Sequence, residues 1–543
     1  MNYSSLRACI EDLERNGHLV RVKEEVDPNL EMAAIHLRVH EAGGPALLFE
    51  NVRGCKFRAV SNIFGTRERS LFLFRNSIDK VRELVKLKSN PMEALRHPIT
   101  NFSAGIAALK SFPKKTNSLP VLKNEIRLSE LPQIRHWPMD GGAFVTMPVV
   151  YTEDIDQPGV LHSNVGMYRV QLSGNDYVRD KEAGLHYQLH RGIGVHQSKS
   201  NAKGKPLKVS IFVGGPPSLS FAAVMPLPEG IPELTFAGVL GNRRFRYNYR
   251  EGFCIAADAD FVITGEIFPG ENKEEGPFGD HFGYYSLRHP FPLLRVHRVF
   301  HRDDAIWPFT VVGRPPQEDT SFGMLVHELA GKALQDEIPG LRAVNAVDAA
   351  GVHPLLLAVG SERYTPYLEE KRPSEILTIA NHILGTGQLS LAKFLFIAAG
   401  EDDPQIDVKN IPEFFRHMLE RIDPARDIHF HTQTSIDTLD YSGDGLNTGS
   451  KVVIAAAGVK RRELLSGSPT LNLPVTFSDV KVLIPGILVI RGPKFSTYEN
   501  AEREMASLSE ALKEQTEKLS GFPLIVAGDD SVFMAQSLNN WLW

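Results

Sequence analysis

The sequence lacks several features that would assign it to a specialised class of protein. Its 543 residues contain no apolar run long enough to cross a bilayer, and the N-terminus has no apolar signal-peptide core. No basic tract dominates, and the formal net charge is −5, which argues against nucleic-acid binding as the main activity. Neither a membrane protein nor a nucleic-acid-binding protein is expected.

Cysteine is also scarce. The three cysteines, Cys9, Cys55 and Cys254, lie far apart and form no CxxC pair, so the sequence indicates neither a disulfide framework nor a zinc site. Reduced thiols are typical of the cytoplasm, and we therefore expect a cytoplasmic protein. No Walker loop, zinc-protease helix or Gly-x-Ser-x-Gly elbow occurs, which leaves those hydrolase classes without a candidate site.

The hydrophobic content is 42%, which allows a large core, and the length is typical of two to four domains. Helical spacing from Leu6 to Leu13 is followed by strand-like runs at 19–22 and 46–49. This alternation predicts an N-terminal α/β domain over residues 1–115.

The middle of the chain has a different pattern. Short β-rich runs at 149–151, 209–213 and 261–264 are separated by turns that contain glycine or proline. The pattern favours a barrel or a sandwich over residues 116–316.

The last part of the chain returns to alternating helices and strands. An amphipathic helix is predicted over 324–336, and strand-like runs occur at 355–359 and 394–397. With the charged helical segment at 499–519, these features predict a C-terminal α/β domain over residues 317–543 that carries a terminal helix.

The most informative segment is the stretch 274–285, which places Glu275 and Asp280 five residues apart. Three glycines and a proline favour a shaped turn there rather than a helix or a strand. Loops of this kind on a rigid scaffold often carry catalytic residues. A solvated turn with functionless acids is the competing interpretation, and the loop alone favours it.

Three other residues of the middle region have equally simple explanations when each is taken alone. Asn164 suits the cap of a turn, His190 a half-buried histidine, and Glu233 a solvated acid. Their meaning depends on the segments that accompany them.

Together these segments resemble the UbiD family of prenylated-FMN-dependent decarboxylases, in one order and over nearly the whole chain. The motifs that carry the resemblance lie at 13–19, 25–28, 43–51, 164–171, 190–192, 275–285, 313–316, 423–427 and 449–451. One departure is the triplet Ala455-Ala456-Ala457, where the family often has Asp-Ala-Thr. It places close equivalence to the ubiquinone-pathway member, and with it the substrate, in doubt.

The resemblance implies a central split β-barrel of the flavin-reductase type that binds prenylated FMN through Mn²⁺ or Mg²⁺, with K⁺ as a possible additional ion. It implies metal ligands at Asn164, His190 and Glu233, with His186 as the alternative histidine. Amide, imidazole and carboxylate groups suit such a metal better than one that seeks thiolates. The cofactor contacts that it implies are Asn164, Met167, Tyr168, Arg169, His186, Tyr187, Gln188, His190, Arg191 and Gly192.

The resemblance also assigns the catalytic residues, namely Arg169, Glu275 and Asp280. A guanidinium suits a two-pronged grip on a carboxylate. Two carboxyl groups that share one arginine can divide into an ionised and a protonatable member. The sequence does not decide which of them delivers the proton. Aspartate at the second position is found in the branch that acts on hydroxylated aromatic acids, and for that branch Asp280 is slightly favoured.

The expected activity is a reversible, non-oxidative decarboxylation of an aromatic, heteroaromatic or α,β-unsaturated carboxylic acid. A flavin cofactor is needed because loss of CO₂ leaves an electron pair on an sp² carbon, for which side chains offer no electron sink. Net carboxylation, an FMN reductase on the same kind of barrel and a non-catalytic ligand-binding relative are the alternatives. A flavin prenyltransferase as cofactor supplier, and a homodimer or homohexamer formed through the C-terminal domain, complete the expectation.

Overall fold

The computed structural model describes residues 3–82, 111–187, 192–227, 232–443 and 445–543. These residues form a mixed α/β molecule with several separate sheets, as the sequence predicts. The chain divides into two compact units, residues 1–334 and 335–543, and the boundary falls within the helix Glu318–Glu337. No helix in the described part combines the length and the apolar character that a membrane span requires.

The first sheet of unit 1 begins after a well-defined helix. This helix starts at Leu6 because the Ser5 side chain accepts a hydrogen bond from the Ala8 backbone N–H at 3.2 Å. The helices of this region are Leu6–Arg15, Glu31–Glu41 and Arg67–Leu73. The strands, in spatial order, are Leu19–Val26, Ala46–Val52, Arg58–Ser61 and Ile306–Phe309.

The largest sheet is built from the middle of the chain. Its strands, in spatial order, are Phe144–Val145, Val170–Gln171, Glu182–Leu185, His289–His301, Phe261–Glu275, Leu207–Val213, Pro148–Glu153 and Ser163–Gly166, and Asn124–Ile126 pairs with His289–His301. The path is open at both ends. No closed barrel is therefore formed by the described strands, and the predicted split barrel is not confirmed.

Smaller elements complete unit 1. A second, three-stranded sheet contains Phe253–Ala256, Arg246–Arg250 and Lys114–Lys115. The helices of this region are Gly192–Ala202, Pro217–Ala222 and Glu233–Leu240, and the 3₁₀ segments are Pro120–Lys123, Leu128–Glu130 and Val160–His162.

The long antiparallel pair Phe261–Glu275 and His289–His301 positions the site. The apolar first half of the strand Phe261–Glu275 is largely buried. This strand ends at Glu275 because Gly276 has φ +85° and is followed by Pro277, which has no backbone N–H. Glu274 and Glu275 thus belong to the strand, so the predicted turn is wrong for these two residues and begins at Gly276.

Unit 2 is a separate α/β layer. Its five-stranded sheet has the order Leu341–Ala346, Leu355–Gly360, Phe394–Ala399, Thr448–Ala456 and Ile428–Ser435, and a second sheet contains Ser478–Ile484, Ile487–Arg491 and Leu524–Gly528. The strand Leu355–Gly360 is buried along its whole length, as expected for a strand covered on both faces of its sheet.

The helices of unit 2 are Glu375–Leu384, Ile411–Arg421, Tyr498–Lys513, Thr516–Leu519, Ser531–Gln536 and Leu538–Leu542, with 3₁₀ segments Asp348–Ala350 and Gly387–Leu391. The helical segment predicted over 499–519 is therefore two helices. Thr497 caps the longer one by accepting a hydrogen bond from the Asn500 backbone N–H at 3.2 Å.

Candidate active site

A single arginine joins the two acids of the predicted site. Arg169 Nε donates to Glu275 Oε1 at 2.8 Å, and its Nη2 donates to Glu275 Oε2 at 2.7 Å. Arg169 Nη1 donates to Asp280 Oδ2, and Nη2 also donates to Ser286 Oγ at 3.1 Å. The bidentate pair with Glu275 fixes both the position and the orientation of that carboxylate.

These three side chains are removed from solvent. Glu275 is 0% exposed, Asp280 7% and Arg169 9%. The Phe278 ring covers the guanidinium, whose carbon lies 4.8 Å from the ring centroid, an arrangement that favours the cation. The site is therefore an apolar enclosure around a charged group rather than a solvated turn.

Asp280 has a second neighbour that favours its charge. Its Oδ1 accepts a hydrogen bond from the His281 backbone N–H at 2.7 Å and lies 3.0 Å from His281 Nδ1. Burial by itself would raise the pKa of Asp280, but the Arg169 charge and the His281 contacts hold it well below its usual range. Asp280 is thus ionised at neutral pH.

The loop is held by side chains that lie outside it in the sequence. Gln171 Oε1 accepts from the Gly276 backbone N–H at 2.9 Å, and Asn175 Nδ2 donates to the Gly276 carbonyl at 3.0 Å. Asp140 Oδ1 accepts from the Gly279 backbone N–H at 2.8 Å. Asn175 and Asp140 are functional positions that the sequence interpretation missed, because a single polar residue that binds a distant backbone leaves no local pattern.

One glycine makes room for the buried acid. A Cβ at Gly184 would come within 2.1 Å of Tyr177 Oη and within 3.2 Å of Glu275 Cγ. A side chain at this position would therefore force Tyr177 or Glu275 to shift.

The predicted metal ligands that are described lie on neighbouring elements. Asn164 is on the strand Ser163–Gly166, against which the helix Glu233–Leu240 packs. Asn164 Nδ2 donates to Tyr168 Oη at 3.3 Å, and a Cβ at Gly192 would come within 2.3 Å of Asn164 Oδ1. The elements that carry Asn164 and Glu233 are thus packed together, and the start of the helix at Gly192 lies against Asn164.

Glu233 is a buried carboxyl group without a neighbouring positive charge among the described residues. It is the first residue of its helix, and burial raises its pKa to about 7. No charged group of the described residues offsets this burial. A divalent cation would do so, and an amide oxygen such as that of Asn164 is of the kind that Mn²⁺ and Mg²⁺ accept. The described residues thus fit the predicted metal.

Three of the predicted cofactor and metal residues, Gln188, His190 and Arg191, lie outside the described residues. Among the described residues, no three histidine, cysteine, aspartate or glutamate side chains lie close enough together to hold a metal. The predicted set differs in kind, because it includes the amide of Asn164 and also His190.

His186 and Tyr187 point in different directions. The His186 ring meets the Phe291 ring edge-on at 4.0 Å between centroids, and the His186 backbone N–H donates to the Arg169 carbonyl at 3.3 Å. The Tyr187 ring lies 6.1 Å from the Tyr168 ring, on the side of Asn164. His186 Nε2 and Tyr187 Oη are buried without a hydrogen-bond partner among the described residues. Burial, and then the Arg169 charge, holds the pKa of His186 well below its usual range.

The remaining predicted cofactor residues follow the same strand. The Met167 backbone N–H donates to the Ala223 carbonyl at 3.1 Å, and the Met167 side chain is half-buried. Tyr168 is buried and receives the hydrogen bond from Asn164. One short segment thus carries the amide, the aromatic ring and Arg169.

Three family models match consecutive parts of the chain. The 3-octaprenyl-4-hydroxybenzoate carboxy-lyase N-terminal domain matches residues 10–88, the Rift-related domain of the same family matches 110–315, and its C-terminal domain matches 320–456.

Curated relatives match the chain along its length. An uncharacterized protein of Chlamydia trachomatis serovar D is 37% identical over 99% of this chain and 89% of its own length. A Chlamydia pneumoniae protein, named as one of the subunits of 4-hydroxybenzoate decarboxylase, is 36% identical over 99% of this chain and 88% of its own length.

Solved structures share the fold. The closed form of Sedimentibacter hydroxybenzoicus vanillic acid decarboxylase has a TM-score of 0.70 at 23% identity and covers 95% of this chain and 99% of its own. An evolved dimeric form of the UbiD-class enzyme HmfF from Pelotomaculum thermopropionicum, in complex with prFMN, has a TM-score of 0.61 at 23% identity and covers 85% and 97%.

Proposed function

Since the chain belongs to the UbiD family of carboxy-lyases, we propose that it is a reversible, non-oxidative decarboxylase that uses prenylated FMN and a divalent metal. Its substrate is an aromatic, heteroaromatic or α,β-unsaturated carboxylic acid, and the name of the Chlamydia pneumoniae relative favours a hydroxylated aromatic acid. The observation that carries the proposal is the buried group in which Arg169 binds both Glu275 and Asp280.

The cofactor would lie beside the segment that begins at Asn164. Asn164 and Glu233, with His190, would hold the metal, which would be Mn²⁺ or Mg²⁺ with K⁺ as an additional ion. The other residues that would contact the cofactor are Met167, Tyr168, Arg169, His186, Tyr187, Gln188, Arg191 and Gly192. When bound, prenylated FMN supplies the electron sink that side chains lack.

His190 is the better histidine ligand of the two that the sequence leaves open. His186 packs on Phe291, whereas Asn164 is approached by Tyr168 and Gly192. Side chains of neighbouring residues on an extended backbone point to opposite faces, so His186 faces away from the Tyr187 side. This divergence disfavours His186, which leaves His190 as the histidine ligand that we propose.

Arg169 orients the acids and binds the substrate carboxylate. Its fork holds Glu275 through two parallel hydrogen bonds, and it keeps Asp280 ionised. We assign the proton transfer to Glu275, which the same guanidinium holds in a fixed orientation beside the ionised Asp280.

Glu275 then completes the reaction. The carbon that loses CO₂ must receive a proton, and a carboxylic acid held against an apolar enclosure can deliver it. Phe278 and the burial of all three side chains keep bulk water from the site. Each turnover consumes one proton, which Glu275 must regain from solvent. Net carboxylation is the same sequence in reverse.

The proposed organisation has three domains, at 1–115, 116–316 and 317–543. The limits of the three family models support these boundaries, and the open nine-stranded sheet is the part that a split barrel would occupy. A cytoplasmic location, a homodimer or homohexamer, and a flavin prenyltransferase as supplier stay predictions. Family membership does not favour the FMN reductase alternative.

The test is an assay of the full-length protein produced together with a flavin prenyltransferase. We expect anaerobic CO₂ release from at least one member of a panel of aromatic, heteroaromatic and cinnamic-type acids, and no reduction of free FMN by NAD(P)H. Glu275→Gln should abolish CO₂ release while the flavin absorbance is kept.

The matched control for this test is Glu271→Gln. Glu271 lies on the same strand and makes the same two-pronged contact, with Arg295 at 2.6 and 2.9 Å, outside the enclosure. This variant should keep full activity. FMN reduction without CO₂ release from any acid would replace the proposal with the reductase.

A further inference from the structure

Glu275 has a problem of proton supply. Its side chain is 0% exposed, yet decarboxylation consumes one proton in each turnover. A group that lies next to Glu275 and also reaches solvent would solve it. His289 meets both conditions.

His289 lies directly across the strand pair from Glu275 in the antiparallel register. Side chains of such opposite residues lie on the same face of the sheet, with Cβ atoms about 4.5–5.5 Å apart. The two side chains are therefore neighbours, although their positions in the sequence are separated by the whole loop.

His289 lies at the boundary between solvent and the protein interior. The residue is half-buried, whereas its Nε2 atom is buried and has no hydrogen-bond partner among the described residues. The ring rests on Phe291, with 4.5 Å between centroids, so its orientation is defined by packing. Part of the residue is thus open to solvent, while its Nε2 atom lies inside the protein.

The charges around His289 suit a proton carrier. Burial lowers the pKa of His289, while Glu275 and Glu274 raise it and Arg169 lowers it. His186 lies 6.2 Å away between ring centroids, and Glu274 is paired with Arg288 at 3.3 Å. A neutral imidazole has one donor and one acceptor nitrogen, so it can take a proton at one edge and release one at the other.

We propose that His289 returns the consumed proton from solvent to Glu275. His289 acts through Glu275 and not on the substrate, so it is a positioning residue. This proposal rests on the proposed decarboxylase function. One ring nitrogen accepts a proton from water, and the other releases a proton to the Glu275 carboxylate, directly or through one water molecule. The hydroxide left in solvent is neutralised by buffer, so no further reactant is needed.

The first test needs no turnover. In the full-length protein with histidine labelled at the ring Cε1, NMR gives the titration of each ring, and His289→Gln identifies the His289 signal. Glu275→Gln should lower the pKa of His289, because it removes the carboxylate that raises it. An unchanged His289 titration would show that the two groups are not coupled and would overturn the proposal.

The matched control is His297, which lies on the same strand and pairs with Glu266 at 3.3 Å. The NMR signal of its ring should not respond to Glu275→Gln. If both histidines shifted alike, the change would be a general one, and the specific coupling would be rejected.

The second test uses the cofactor-loaded enzyme. His289→Gln should reduce kcat roughly tenfold with KM unchanged, less than the roughly 10²–10⁴-fold of a group that transfers a proton to the substrate itself. Added imidazole should restore part of the activity of His289→Ala, whereas His297→Gln should match the wild type. A wild-type kcat for His289→Gln at every pH would refute the relay.

Failure of the relay differs from failure of the proposed function. If the wild-type protein releases no CO₂ from any acid, the function fails, and the NMR titration still decides whether His289 and Glu275 are coupled. If the wild type is active and His289→Gln equals it, the relay alone fails.

Discussion

At the scale of the residue, the site depends on the shape of one guanidinium. Arg169 forms two parallel bonds with Glu275 and also reaches Asp280 and Ser286, so four contacts come from one planar group. Lysine would keep the charge but not the fork. The geometry of the acids, rather than charge alone, is what Arg169 supplies.

Arg169→Lys should therefore reduce CO₂ release by about 10²-fold or more, because Glu275 loses its fixed orientation. The matched control is Arg295→Lys, which alters a similar fork, with Glu271, near the surface. Steady-state assays of both variants check the prediction. Equal activity of the two variants would contradict it.

Glu233 gives a second prediction at this scale. Glu233→Ala removes a carboxylate whose pKa burial raises to about 7, and with it a proposed metal ligand. We expect lower metal content and lower flavin retention after purification, measured by elemental analysis and absorbance. Glu251→Ala, at an exposed turn, is the control. Full occupancy by the Glu233 variant would remove it from the ligand set.

Arg169, Glu275 and Asp280 were predicted as site residues from the sequence, and the structure places them in one group. It did not predict Asp140 or Asn175, since each acts on the backbone of a loop that is distant in the sequence. Such contacts depend on the sheet that brings the segments together. No spacing of residues along the sequence therefore indicates them.

At the scale of the element, strand ends determine where the chemistry lies. Glu275 is the last residue of its strand, and the return strand begins at His289, so their pairing closes the base of the loop. Strand interiors such as 209–213 were predictable from their apolar runs. The end at Glu275 was not, because the polar second half of that strand, 269–275, has no apolar pattern.

Gly184→Ala tests how closely the neighbouring strand approaches the acid. The new Cβ would meet Tyr177 Oη at 2.1 Å and Glu275 Cγ at 3.2 Å. We expect a loss of about 1–3 kcal/mol in the free energy of unfolding, together with reduced activity. Thermal unfolding and the CO₂ assay measure both effects.

Two variants control this experiment. Tyr177→Phe in the Gly184→Ala background removes the hydroxyl that the methyl group meets and should recover part of the stability. Gly323→Ala, in a helix with nothing within 4 Å of the new Cβ, should not destabilise the protein. A Gly184→Ala protein as stable and active as the wild type would contradict the close approach.

At the scale of the whole molecule, buried histidines tie stability to pH. Burial lowers the pKa of His36 and of His136 to about 3, so both are neutral in the folded protein. In the unfolded chain they bind protons below about pH 6.5. The unfolded state thus binds protons that the folded state does not bind. The free energy of unfolding therefore falls as the pH drops from about 6.5 to 3.

Each of these histidines should cost about 1.4 kcal/mol of stability per pH unit within that window. We expect Tm to fall between about pH 7 and pH 5.5, and to fall less for His136→Phe, which removes one titrating group. Calorimetry at the two pH values measures this difference, with His297→Gln as the exposed control. An equal fall for wild type and His136→Phe would rule out the contribution of His136.

Family resemblance over nearly the whole chain predicted the class of molecule, but it could not give the order of strands in space. Apolar patterns indicate that a segment is a strand and do not name its partner. Ile306–Phe309 shows the difference. It lies far from the N-terminal region in sequence and pairs in parallel with Arg58–Ser61.

This late strand also constrains how the gene could be divided or recombined. Trp307 is wholly buried, sits opposite Ala59 and meets the Phe261 ring edge-on at 5.1 Å, at the start of the strand that ends in Glu275. A fragment cut after residue 115 would keep an open sheet edge and lose its covering indole. If the N-terminal portion were replaced by that of a relative, the chimera would therefore fold only where the relative's edge strand can pack against Trp307 of this chain.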